Sequence, residues 1–128
     1  MSQLVLDSGG VSRLSRQSQE AAAIISVLKE DGIWPPLVPS VVLVECLSGR
    51  QRTGALTNRF LKICELREDL PQHLARRAAA LRAAARKGSA VDAIVVATAE
   101  PGGTILTGDI DGLGALASHA DDVVVLHV

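Results

Sequence analysis

The sequence predicts an α/β fold: a single domain spanning 1–128 with a short parallel β-sheet flanked by α-helices on both faces. Two observations carry this. Short apolar runs that read as strands alternate with longer segments whose apolar residues recur at helical spacing. Strands separated by helices pair in parallel and need helices on their faces to bury them. Length and composition agree, because 128 residues that are 48% apolar suffice for one buried core and not for two. With one Trp, one Phe and no Tyr, that core must be built from Val, Leu, Ile and Ala.

Each element has a local reason. QLVLD is a short buried strand. SRLSRQSQEAAAIISVLKEDG reads as one helix, with Ala21, Ile24, Ile25 and Leu28 at helical spacing and Gly32 as its stop. Three prolines confine IWPPLVPS to a brief extended segment. SVVLVECL is apolar except for Glu45, and periodicity does not separate helix from buried strand over so short a run. Ser40 as an N-cap and Gly49 as a stop favour helix. GALTNRFLKICEL reads as a helix running into a short strand or loop. LPQHLARRAAALRAAARKG is an Ala-rich helix that buries Leu74, Ala78, Leu81 and Ala85 and turns its arginines to other faces. SAVDAIVVATAEPG is a nearly all-apolar helix with Ser89 as N-cap, ended by Pro101 and Gly102. GTILTGD is a strand ending in an acid, IDGLGALASH a short helix, and DVVVLHV the last strand.

Composition excludes several functions. The scarcity of aromatic residues leaves almost no platform on which unpaired bases stack, so any nucleic-acid contact must be electrostatic. Cys46 and Cys64 show no C-x-x-C or metal-ligand spacing and read as buried free thiols of a reducing compartment. No basic stretch precedes a long apolar run at the N-terminus, and no apolar segment approaches about 20 residues, so a soluble cytoplasmic protein with no membrane association is expected. His73, His119 and His127 are scattered, without the pairing of metal ligands or a catalytic base. The net charge of −1 hides an asymmetry: residues 50–87 hold ten basic side chains against three acidic, and the rest three against eleven. An acidic set and a basic stretch in one small domain suit a polyanion held beside metal cations. The solvated faces of two helices account for the basic residues as well.

The acids fall in telling places. Asp7 and Asp109 each follow directly on a buried strand, and open α/β sheets bind ligands outside the carboxyl ends of their strands. Glu45 and Asp92 are each the lone charge in an apolar element, where an unpaired carboxylate is costly to desolvate. An arginine partner, protonation or a shared cation would compensate them. Taken singly, Asp7 also suits a turn cap with Ser8 and two glycines, Asp92 the dipole of a first helical turn, and TGDIDG a loop. Glu45 fits such an explanation least. Oxygen ligands without usable His or Cys suit Mg²⁺ or Mn²⁺ rather than zinc.

Taken together, LVLDSGG, VPSVVLVECLSG, SAVDAIVVATA and TILTGDID resemble the four acidic motifs of PIN-domain ribonucleases, in particular the VapC-type toxins of bacterial toxin–antitoxin modules. The resemblance spans essentially the whole chain. It implies a PIN-like domain in which Asp7, Glu45, Asp92 and Asp109 are catalytic. Asp7, Asp92 and Asp109, with Asp111 as an auxiliary acid, then hold Mg²⁺ or Mn²⁺. Thr107 fills the place two positions before the fourth acid where the family keeps Ser or Thr, and Ser8 supports the metal shell through its hydroxyl. The implied reaction is hydrolysis of phosphodiester bonds in structured RNA such as tRNA or rRNA, with Arg50, Arg52, Arg76, Arg77, Arg82 and Arg86 as candidates to hold phosphates. The implied partners are a VapB-type antitoxin, whose tail covers apolar grooves, and a second copy in a homodimer. Trp34, beside Pro35 and Pro36, suits either an interface or the edge of its own core.

Two other readings compete. A non-catalytic PIN-like module that binds RNA or protein would not need intact acids. A haloacid-dehalogenase-like phosphatase also uses strand-end acids with Mg²⁺, and GDIDG is similar to its last motif, but it needs a second Asp where this chain has Gly9. A response-regulator receiver would want an acid pair near the first strand and a late lysine, and the sequence has neither.

Overall fold

The computed structural model describes residues 3–47 and 51–128, with the backbone alone at 51–53. Within these residues five strands, β1 (Leu4–Leu6), β2 (Leu37–Pro39), β3 (Glu65–Arg67), β4 (Thr104–Thr107) and β5 (Val124–His127), form one all-parallel sheet in the order β3-β2-β1-β4-β5. Among the described residues seven α-helices connect them: α1 (Ser8–Leu14), α2 (Gln19–Glu30), α3 (Leu43–Cys46), α4 (Gln51–Leu61), α5 (Gln72–Ala85), α6 (Ala90–Ala99) and α7 (Ile110–Ala117). The chain runs outward from β1 to β3 and then back to β4 and β5, and crossovers of the usual right hand put α1 to α4, which pack on one another, on one face and α5 to α7 on the other. The strand order therefore reverses between β1 and β4, the place where such sheets open a crevice for ligands.

Burial explains the near-continuous apolar strands. Leu4, Val5 and Leu6 of β1 are all fully buried because helices cover both faces of the central strand. Val11 and Leu14 of α1, Val95 and Val96 of α6, and Leu113 and Leu116 of α7 close the same core. β1 and β4 pair Leu4 with Thr104, Val5 with Ile105 and Leu6 with Leu106. That register delivers Asp7 and Thr107 side by side at the carboxyl end of the sheet.

Two elements differ from expectation. The single helix expected over residues 12–32 is two helices, because Ser18 caps α2 by accepting from the Ala21 N–H at 3.0 Å and Gln17 takes a left-handed φ of 58° that breaks the ladder. The end of α2 is as expected: Gly32 takes φ 74° and its N–H and that of Ile33 donate to the Lys29 and Leu28 carbonyls, a Schellman motif. SVVLVECL is a 3₁₀ turn over Ser40–Val42 followed by the four-residue α3. Ser40 does not cap it, since its hydroxyl donates to the Arg67 carbonyl at 2.8 Å. Nor is the segment buried throughout: Val42 is, but Val44 is 82% exposed. Among the described residues no helix is long and apolar enough to cross a membrane.

Candidate active site

Asp7 is the first residue after β1 and the N-cap of α1. Its Oδ1 accepts from the Gly10 N–H at 2.7 Å, and its Oδ2 accepts from the Thr107 hydroxyl. Thr107 in turn accepts from the Asp109 N–H at 2.8 Å, which leaves its single proton for Asp7. A chain of two hydrogen bonds thus ties the loop after β4 to the carboxylate after β1. Asp7 is only 4% exposed and Thr107 fully buried. Burial pushes the Asp7 carboxyl up from its ordinary range, the Thr107 and Gly10 hydrogen bonds pull it back, and the charge of Asp92 adds to the rise.

Asp109 is the N-cap of α7, with Oδ1 accepting from the Gly112 N–H at 3.2 Å. Asp92 occupies the third position of α6 and forms a capping box with Ser89, whose hydroxyl accepts from the Asp92 N–H at 3.0 Å. The structural explanation and the functional one therefore coincide: three acids cap helices, and capping aims each carboxylate toward the same end of the sheet. Glu45, on α3, is solvent-exposed and needs no compensation for desolvation. Its expected burial in an apolar element does not occur, because α3 is a surface turn.

Asp7, Glu45, Asp92 and Asp109 line one cleft of about 440 Å³ together with Ser8, Gly9, Ser89 and Gly108. Glycines make the approach possible. A Cβ on Gly9 would lie 2.6 Å from the Gly108 nitrogen, so the β1–α1 and β4–α7 loops touch backbone to backbone. The same contact leaves no room for the second acid of a dehalogenase-like phosphatase at position 9. This packing is not legible in the sequence, although the glycines beside both acids, DSGG and TGD, are its visible signal. The sequence marks Ser89 only as a cap, and the fold also puts it in the cleft wall.

The cleft is walled by carboxylate and hydroxyl oxygens, the donor set of a hard divalent cation. Among the described residues no three His, Cys, Asp or Glu side chains converge into a ready-made ion cage. The acids stand around the cleft wall, with Asp7 pinned, Asp109 capped onto the Gly112 N–H, and the exposed Glu45 side chain free to turn inward. In kind, and in lining one cleft, they suit such an ion.

Asp111 is exposed on α7 and does not line the cleft. Arg50 lies outside the described residues, as does the side chain of Arg52. Arg77 is committed elsewhere: its Nε and Nη2 donate to both Glu100 oxygens at 2.8 and 2.7 Å, and Nη2 also donates to the His119 carbonyl. That pair holds the Glu100 carboxyl below its ordinary range. Arg76 is exposed and donates to Gln72. Arg82 donates to the Gly88 carbonyl at 3.4 Å, next to Ser89 of the cleft, and Arg86 ends α5 in an exposed left-handed turn. Cys46 and Cys64 are half-buried free thiols, and burial pushes Cys64 up to about 12. No histidine lines the cleft. Trp34 packs on its own core, edge-on to Phe60 at 6.3 Å with the Lys29 ammonium 5.7 Å from its ring.

No family model matches the sequence, and neither does any curated protein. Among solved structures, DNA-bound VapBC from Salmonella typhimurium matches with a TM-score of 0.70 at 14% identity, covering 99% of this chain and 98% of that one. PAE2754 from Pyrobaculum aerophilum matches with a TM-score of 0.61 at 17% identity, over 97% of this chain and 90% of that one. Likeness at these identities is likeness of fold. The chain has a PIN-like α/β fold, the class that the four acidic motifs imply.

Proposed function

We propose that this chain is a metal-dependent endoribonuclease of the PIN-domain, VapC-like kind, the toxin of a toxin–antitoxin pair. The observation that carries the reading is the cleft at the β1/β4 switch point, where Asp7, Glu45, Asp92 and Asp109 from four separate stretches of sequence meet. Asp7 and Asp109, held by Thr107, would provide fixed ligands for Mg²⁺ or Mn²⁺, with Asp92 beside them and Glu45 reaching in from solvent. Such an ion, when bound, would lower the pKa of a water and offset charge on the phosphoryl oxygens. The Thr107 hydroxyl orients the Asp7 carboxyl and opposes the rise in its pKa that burial imposes. The Ser89 side of the cleft leads to Arg82, Arg86 and Lys87, cations suited to RNA phosphates on one side of the cut.

A second surface supports the antitoxin. Leu14, Ala21, Ala22, Ile25, Phe60 and Ile63 line an apolar groove of about 520 Å³ between α1, α2 and α4, with Arg59 at its margin. It suits an apolar antitoxin segment carrying an acid for Arg59, and the VapBC neighbour is a two-component complex. A homodimer belongs to the same reading. The test is sequencing of 5′ ends from RNA treated with the purified chain, with Mn²⁺ and with excess chelator. Discrete new ends that require the metal and vanish in Asp92→Asn are expected. Cleavage that persists in chelator would remove the metal from the proposal.

A further inference from the structure

We infer that Gly112 is a positioning residue of the cleft, whose missing side chain reserves the space in which the Asp92 and Asp109 carboxylates approach one cation. The inference rests on the metal-dependent reading above and assigns a role to a residue outside the acidic motifs.

Gly112 stands in the first turn of α7, buried, and its N–H caps onto Asp109 Oδ1. A Cβ built there would lie 2.7 Å from Asp109 Oδ2 and 3.2 Å from Asp92 Oδ2. One point therefore touches oxygens from two acids on two different helices. Its φ is not left-handed, so no backbone strain calls for glycine. The nearest obstacles to a methyl group are the carboxylate oxygens themselves, and side-chain ends give way where backbone does not. Alanine at 112 is thus compatible with the fold and incompatible with the present position of Asp109 Oδ2. Either that oxygen swings away from Asp92 or the cap from Oδ1 is lost.

Gly114 supplies the control. It lies in the same helix, and a Cβ there would meet nothing within 4 Å. Both substitutions gain helix propensity, and only one reaches the acids.

The experiment measures, for the full chain, melting temperature in chelator and Mn²⁺ affinity by calorimetry for wild type, G112A, G114A, D109N and G112A/D109N. Gly114→Ala is expected to melt a few degrees higher and bind Mn²⁺ as wild type does. Gly112→Ala is expected to melt within a few degrees of wild type without metal, yet to bind Mn²⁺ at least about tenfold more weakly, a loss of about 1.4 kcal/mol. Added to Asp109→Asn, it should weaken binding less than it does in wild type, since the nearer of the two carboxylates it meets is already altered. Unchanged Mn²⁺ affinity in G112A overturns the inference alone. So does a large fall in its metal-free melting temperature, which would mean that backbone, not carboxylate, bounds the space. Wild type that takes up no Mn²⁺ overturns the metal-dependent reading and this inference with it.

Discussion

Asp7 and Glu45 face the same cleft and are built on opposite terms. Asp7 is buried, capped onto α1 and bonded by Thr107, so both its oxygens are positioned by the fold at some cost in desolvation. Glu45 projects from a four-residue helix into water, beside the exposed Val44, and the fold asks nothing of it. The difference teaches that one half of the cleft is fixed during folding, whereas the other is left to whatever binds. Substitutions should accordingly separate stability from chemistry.

The largest effect on stability should come from the joint that fixes the Asp7 half. Gly9→Ala drives a Cβ into the Gly108 backbone, and overpacking against atoms that cannot turn aside should cost about 1–3 kcal/mol in denaturant unfolding. An unchanged midpoint would show the two loops to be less tightly joined than their contact implies. Thr107→Val removes the donor to Asp7 and the acceptor for the Asp109 N–H, for an expected loss of about 1–3 kcal/mol, with Thr107→Ser restoring most of it.

Acidity offers a sharper contrast. Burial raises the Asp7 pKa in the fold, so its protonated form is the one that favours folding. That contribution is full below the pKa of the unfolded chain, about 4, and is lost as pH rises through the higher folded value. In chelator, the melting temperature of Asp7→Asn relative to wild type should therefore shift upward as pH is raised from about 4 toward neutrality. A pH-independent difference would mean that hydrogen bonds offset burial completely.

The basic stretch divides in the same way. Arg77→Gln breaks the bidentate pair with Glu100 and should cost about 1–2 kcal/mol of stability while leaving the salt slope of RNA binding alone. Arg86→Gln should do the reverse, lowering that slope by about 0.7 if the residue touches a phosphate. The smallest stability effect belongs to Glu45→Gln, within about 0.5 kcal/mol of wild type, yet RNA cleavage should be lost. Activity surviving in that variant would take Glu45 out of the chemistry.

Much of this architecture was legible in the chain itself. Hydrophobic periodicity, Ser89 as a cap and Gly32 as a stop act within a turn or two of backbone, so α5, α6, β4, α7 and β5 stand where the sequence places them. The acids Asp7 and Asp109 were visible for the same reason, each closing an apolar strand. The break at Gln17 was not, because a cap and a helix interior compete there by small local differences that the packing of α1 and α2 decides. Nor was the exposure of Val44 and Glu45, since an apolar run does not say whether anything covers it. Which arginine is spent on Glu100, and that Gly9, Gly108 and Gly112 shape the space around the carboxylates, depend on contacts between residues far apart in sequence. Short-range order follows from neighbouring residues, whereas the approach of two loops or two charges is settled only when the sheet register brings their strand ends together.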